Sequence, residues 1–259
     1  MLFSKEHKEY LKRNKKNKII VFVMQILLFI ILLITWELLS KLGKINTFLT
    51  SSPSLIFKTI INLYNSNNLF NHIGITIYEV FISFILSIII GIIIATILWW
   101  NKYIFKVLDP YLTILNSLPK VALGPILIIW IGANTKSIIV MALLISSIIS
   151  IITIYNGFNS TDENKIKLMK SFNATKWQIY KMLIFRSNIP TIISSLKINI
   201  SMCLIGVIMG ELLVSKEGIG YLIMYGSQVF NLNLVMTGIF LLSILAYILY
   251  FIISRLEKN

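Results

Sequence analysis

Residues 73–100 read IGITIYEVFISFILSIIIGIIIATILWW, with one charged side chain, Glu79, and two tryptophans at the end. A helix needs about 20 consecutive apolar residues to cross the hydrocarbon of a bilayer, and this stretch exceeds that length. A backbone in hydrocarbon must satisfy its own hydrogen bonds, so a segment of this kind is helical. Trp99 and Trp100 stand where amphipathic rings settle, at the edge of the apolar layer. The stretch is read as a membrane span over 73–98.

The rest of the chain agrees. It has 259 residues, 57% hydrophobic and 13% charged, with a mean hydropathy of +0.84. A soluble domain carries about 25% charge. The same window places further spans at 19–39, 107–131, 137–155, 191–214 and 234–253, six in all. The basic residues of 1–18 followed by an apolar run resemble a signal peptide in charge order. The run is too long for one, and no small-x-small cleavage pattern follows, so it is read as an uncleaved first span. The net charge of +14 is spread between apolar stretches and not gathered on a soluble face, which argues against nucleic acid as a partner. The single cysteine, Cys203, allows no intrachain disulfide or cysteine-based metal cluster and is read as a small buried hydrophobe. His7 and His72 fall on opposite predicted sides of the membrane, too far apart for a shared metal.

Charge distribution orients the spans. Placing the N-terminus, 99–106, 156–190 and the C-terminus in the cytoplasm puts 17 of the 24 Lys+Arg inside. Five remain outside: Lys41, Lys44, Lys58, Lys136 and Lys216. Basic residues concentrate in cytoplasmic loops, so both termini are expected there. Two outer segments are more than turns. TSSPSLIFKTIINLYNSNN, 50–68, has helical apolar spacing after a Ser-Pro start. In SKEGIGYLIMYGSQVFNLN, 215–233, Gly218 and Gly220 permit a tight turn, and 221–230 is too short to span.

Irregular or charged residues within spans are functional candidates. Pro119, Gly124 and Pro125 interrupt the third span and are read as lining the pathway, with a packing kink as the plainer alternative. Lys120 either faces that pathway or ties down carbonyls freed by Pro119. Glu211, near the outer end of the fifth span, is read as a structural or gate residue rather than a substrate contact. Lys197 is read as snorkelling to the cytoplasm, and Glu37 and Glu79 as satisfied local polar contacts. Gly206 and Gly210 form a Gly-x-x-x-Gly pair suited to a close helix contact, within the chain or across a dimer.

The largest cytoplasmic loop, 156–190, is polar but keeps an apolar face. Ser160 and Glu163 have capping-box spacing, and Ile166, Met169 and Phe172 recur at three-residue intervals. Asn173 stands where a left-handed residue ends a helix. Thr175 and Gln178 form a second capping box, before a helix through Trp177, Tyr180 and Ile184 that stops ahead of Pro190. Two readings fit this pattern: a helix lying on anionic lipid, or a knob for a cytoplasmic partner.

Four segments, in order, carry a family resemblance. The loop resembles the "EAA" loop of bacterial ABC-importer permeases. SPSLIFKTI, 52–60, is similar to the entrance after the first span in that family. LDPYLTILNSLPKVALGPILIIWIG, 108–132, resembles its third span, and GELLVSKEGIGYLI, 210–223, its acid and Gly-x-Gly segment. Together they resemble the permeases of nitrate, sulfonate, taurine and pyrimidine-precursor importers. In this chain Lys167, Leu168 and Met169 stand where Glu-Ala-Ala is usual, and Asn173 replaces the loop glycine. Glu163 is the nearest acid, and an ATPase of opposite charge would match the change.

The resemblance implies an all-α, six-helix membrane fold of the type I importer (MetI-like) class, with the transmembrane domain over 19–259 after a basic segment 1–18. It implies a bacterial plasma-membrane permease moving a small anionic or heterocyclic solute delivered by an extracytoplasmic binding protein. Two copies of an ABC ATPase, a second permease copy and membrane lipid are the other implied partners. Glu163, Lys167, Met169, Phe172, Asn173, Ala174 and Trp177 would couple to the ATPase. Pro119, Lys120, Gly124, Pro125, Glu211, Gly218 and Gly220 would line or gate the pathway. The sequence has no Gly-x-x-x-x-Gly-Lys-Ser/Thr loop, so no catalytic residue, cofactor or ATP site of its own is expected, and ATP would bind the partner. An ion-driven secondary transporter or channel is the alternative. Its usual paired inverted repeats and midplane acid are not found in the sequence. A membrane enzyme would need clustered acids or histidines that the sequence also lacks.

Overall fold

A computed structural model describes residues 5–256, with side-chain surroundings over 10–255. Lys258 of the basic count and the His7 side chain lie outside the described residues. Every element among these is helical. In chain order they are α1 (Lys5–Lys41), α2 (Thr47–Thr50), α3 (Pro53–Asn65), α4 (Leu69–Trp100), α5 (Lys102–Ser117), a 3-10 turn (Lys120–Leu123), α6 (Gly124–Ile131) and α7 (Thr135–Asn159). They continue as α8 (Glu163–Ser171), α9 (Lys176–Ile179), a π turn (Tyr180–Ile184), α10 (Phe185–Ser187), α11 (Ile189–Val214), α12 (Ile219–Gln228) and α13 (Leu232–Leu256).

Five helices, α1, α4, α7, α11 and α13, are long and apolar enough to cross a membrane. The continuous span expected over 107–131 is instead a bent pair of helices. The segments Lys102–Ser117 and Lys120–Ile131 meet at 91°. Pro119 disfavours helical geometry in the residue before it, and Leu118 is extended at ψ 140°. Pro125 then sits in the first turn of α6, where its missing N–H costs no hydrogen bond. The cytoplasmic loop expected over 99–106 is instead a corner at Asn101. This extended residue ends α4 and caps α5 by accepting the Tyr103 N–H at 2.9 Å.

The bundle is organised around α7, which packs against α4 and α11. Small residues allow this approach. A Cβ on Gly91 would lie 2.8 Å from Ser150 Cβ, and one on Gly206 2.5 Å from the Ala142 Cα. A Cβ on Gly210 would lie 2.9 Å from Ile138 Cγ2 and 3.0 Å from its Cα. The Gly206–Gly210 pair is therefore occupied within the chain, and the reading across a dimer is withdrawn. Asn199 of α11 donates to Ser87 of α4 at 2.7 Å and to Ser150 of α7, joining the three helices in their apolar interior. Cys203 is fully buried beside it.

α1 stands apart. Its apolar window is entirely exposed within the subunit, and it touches the bundle through α3. Glu37 accepts the Ser54 N–H at 3.1 Å and pairs with Lys41 at 3.2 Å, the local satisfaction expected for it. The Ser-Pro start of α3 also forms as read, with Ser52 capping Leu55 N–H.

Candidate functional site: the capped loop and a carboxylate-held turn

The loop between α7 and α11 is a pair of capped helices on an aromatic floor. Its first cap differs from the expected one. Ser160 closes α7, and Asp162 starts α8 by accepting the Asn164 N–H at 2.8 Å. α8 ends in the two bonds of a Schellman turn, Ala174 N–H to Met169 C=O and Asn173 N–H to Lys170 C=O. Asn173 takes φ +57°, the left-handed conformation the sequence assigns to it. The Thr175–Gln178 capping box forms in both directions. The following helix widens into a π turn in which Phe185 N–H reaches Tyr180 C=O. Asn188, buried, donates to Thr161 Oγ1 and Ile184 C=O at 2.8 Å each, tying the end of the loop to its start.

The apolar face read from Ile166, Met169 and Phe172 is divided. Ile166, Met169 and Ala174 pack inward with Ile179, Tyr180 and Ile184 against Leu98, Ile154 and Phe158. Leu168, Phe172, Trp177 and Met182 point outward, Phe172 with 76% of its surface free. Because Phe172 is the residue after α8's last turn, it leaves the inward row. Among the proposed coupling residues, Glu163, Lys167, Phe172, Asn173 and Trp177 are exposed, while Met169 and Ala174 are half-buried in the floor. The outer surface is basic, with Lys165, Lys167, Lys170, Lys181 and Arg186 around the apolar knobs.

At the other end of α11, Glu211 holds the turn into α12. One oxygen accepts the Thr76 hydroxyl at 2.6 Å, and the other accepts the Gly220 N–H at 2.5 Å. The Thr76 oxygen in turn accepts Ile219 N–H at 2.9 Å, and His72 Nδ1 accepts Gly218 N–H at 3.0 Å. Gly218 adopts φ +103°, and a Cβ there would overlap the Glu211 carboxyl. The glycines are needed for backbone conformation and close approach. Glu211, Gly218 and Gly220 thus form one buried unit.

The sequence reading missed His72 and Thr76. The signal was present. Buried residues on α4 include His72, Thr76, Glu79, Ser83, Ser87, Gly91 and Ala95, spaced three or four apart along one face. Glu79 is fully buried with its carboxyl group beside that of Glu211, and the nearby Ser83 hydroxyl has no hydrogen-bond partner.

The broken span approaches this turn through Gly124. Pro119 and Pro125 are exposed, and Lys120 donates to Asn116 Oδ1 at 3.4 Å, a contact with a side chain rather than with freed carbonyls. Gly124 is buried against Leu213 and Met141, which brings α6 within two residues of Glu211 along α11. Lys197 Nζ lies 6.0 Å from the Tyr250 ring.

Comparison with known proteins supplies a frame for these features. The family model described as "Binding-protein-dependent transport system inner membrane component" matches residues 87–259. The formylaminopyrimidine transport permease protein ThiX of Halalkalibacterium halodurans is 29% identical over 233 residues, covering 90% of this chain and 92% of that one. The taurine transport system permease protein TauC of Escherichia coli is 19% identical over 235 residues, covering 88% and 85%. An inward-facing structure of the MetNI methionine ABC transporter superposes with a TM-score of 0.64 at 17% identity, covering 72% of this chain and 93% of that one, a likeness of fold.

Proposed function

The chain belongs to the binding-protein-dependent transport system inner membrane components, and from that premise we propose that it forms the translocation pathway of an ATP-driven importer. The solute is small and anionic or heterocyclic, the class that includes the formylaminopyrimidine and taurine named for its relatives. Two permease copies pair in a bacterial plasma membrane with their termini in the cytoplasm. Each presents its loop to one of two ABC ATPase subunits, and an extracytoplasmic binding protein delivers the solute from the other face. ATP acts on the ATPases alone, and the permease reorients by rigid-body movement.

One observation carries this reading: the loop is a doubly capped, internally braced pair of helices whose free surface shows Leu168, Phe172 and Trp177 among lysines. A helix lying on lipid needs no such bracing, whereas a part that receives force does. The basic surface favours an acidic groove on the ATPase. Glu211, Gly218 and Gly220 then serve as a fixed outer joint between α11 and α12, and the broken α5–α6 segment, with Pro119, Lys120, Gly124 and Pro125, borders the pathway.

The test is uptake into proteoliposomes of labelled formylaminopyrimidine, taurine and an alkyl sulfonate in parallel. Uptake of one of them that requires the ATPase, ATP and the binding protein together supports the reading. Uptake driven by a proton or sodium gradient without ATPase would replace it with a secondary transporter.

A further inference from the structure

The docking loop is joined to the bundle at a third place besides its covalent ends. Tyr180, 7% exposed, lies in an aromatic cluster. Its ring centroid is 5.5 Å from Trp99, 5.6 Å from Trp177 and 5.9 Å from Phe158, the last perpendicular. Its hydroxyl is 2.7 Å from Thr96 Oγ1 on α4. Thr96 also bonds the Ile92 carbonyl at 2.7 Å, which uses its one hydrogen. Tyr180 is therefore the donor, in a chain running from loop to helix backbone.

Lys176 makes a second attachment. Its Nζ donates to the Trp100 carbonyl, in the last turn of α4, and stands 5.2 Å from the Trp100 ring and 5.9 Å from the Trp99 ring. The final carbonyls of a helix lack partners and attract a cation, so the lysine acts as a cap supplied by the loop. Beyond Trp100 only Asn101 separates α4 from the broken α5–α6 segment. The π turn begins at Tyr180 itself, and such irregularities recur at functional positions.

We propose that Tyr180 is a positioning residue that, with Lys176, clasps the docking loop to the inner end of α4, so that ATPase movement reaches the broken span through the Asn101 corner. This rests on the docking reading above. In that arrangement α7 and α11 carry the loop, and α4 with α5 is pulled with it. The clasp is a physical connection between elements, and its coupling is measurable by a double-mutant cycle.

The experiment uses the complete reconstituted complex and compares Tyr180→Phe, Thr96→Val, the double variant and Thr96→Ser. The readouts are the ATPase retained on purification and the stimulation of ATP hydrolysis by the binding protein with MgATP. Retained ATPase is expected at the wild-type ratio in all four. Stimulation is expected to fall about fivefold in each of the first two, the population shift from losing one hydrogen bond. The double variant should be no worse than either single one, because both remove the same bond, and Thr96→Ser should restore stimulation. A purely structural role would instead lower protein yield and ATPase retention together, which also overturns the proposal. Unchanged stimulation in both single variants overturns it too. Phe172→Asp, run alongside, reports on docking independently: if ATPase binding survives that change, the docking reading fails on its own evidence, whatever the hydroxyl variants show.

Discussion

Replacing Phe172 with aspartate tests the docking surface at its most exposed aromatic. A buried aromatic side chain covers about 150–250 Å². With 76% of its surface free, Phe172 offers roughly 150 Å² to a partner, worth just under about 4 kcal/mol at about 25 cal/mol per Å². A shallow seat covering half of it yields about 2 kcal/mol, or about thirtyfold in ATPase affinity. Aspartate adds the cost of placing a carboxylate in an apolar seat, so thirtyfold is the lower bound. Phe172→Leu should lose much less, since it keeps an apolar body. Affinity is read by titrating detached ATPase onto immobilised permease, at matched amounts of folded protein. Insertion should be unaffected, because Phe172 lies outside every span. Wild-type ATPase affinity and wild-type uptake in Phe172→Asp would refute the argument and return the loop to the lipid surface.

Other substitutions probe the remaining joints. Asn173→Val places a β-branched residue at φ +57°, at a cost of roughly 1–2 kcal/mol; ATPase should still copurify while uptake per ATP drops, and Asn173→Gly should match wild type. Gly206→Val should abolish the monodisperse gel-filtration peak, since its Cβ would meet the Ala142 backbone at 2.5 Å; an intact peak would show that α7 and α11 can separate. Gly218→Ala combines positive φ with overlap of the Glu211 carboxyl, so melting in detergent should occur at a clearly lower temperature, and an unchanged melting curve would count against the carboxylate-held turn. In a Cys203→Ser background, cysteines at Ser66 and Gln228 should react with an impermeant reagent from outside sealed cells and one at Asp162 should not; external labelling at 162 would reverse the orientation.

The sequence was readable where one local rule decides the outcome. Long apolar runs give spans, and the Thr175–Gln178 box and the left-handed Asn173 depend on residues within a few positions of one another. It was less readable where geometry depends on distant partners. Pro119, Gly124 and Pro125 mark an interruption, but the 91° bend is also shaped by Gly124 packing on Leu213, far along the chain. The face of α8 looked continuous because Phe172 keeps the three-residue rhythm, yet the helix ends one residue too soon for it. Ser160 lost the cap to Asp162 because α7 runs on to Asn159. The carboxylate-held turn is half visible in the sequence: Glu211 and its glycines stand out, while His72 and Thr76 are marked only by their spacing with Glu79 and Ser83 along one face of α4.

That stripe on α4 has a consequence for how the protein is made. Its partners are synthesised much later: Glu211 follows Thr76 by 135 residues, and Asn199 follows Ser87 by 112. At about 5–20 residues per second, the ribosome needs roughly 7–27 s to deliver Glu211 after Thr76 has emerged. During that interval α4 lacks the carboxylate and amide that join it to α11, the Thr76 hydroxyl having only the His72 carbonyl of its own helix at 3.2 Å, and α7 arrives first to cover part of the face through Ser150 beside Gly91. The interior of the bundle is completed only when α11 is inserted. Until then the polar seam of α4 lacks its α11 partners, so the bundle interior depends on the whole of 101–211 being made.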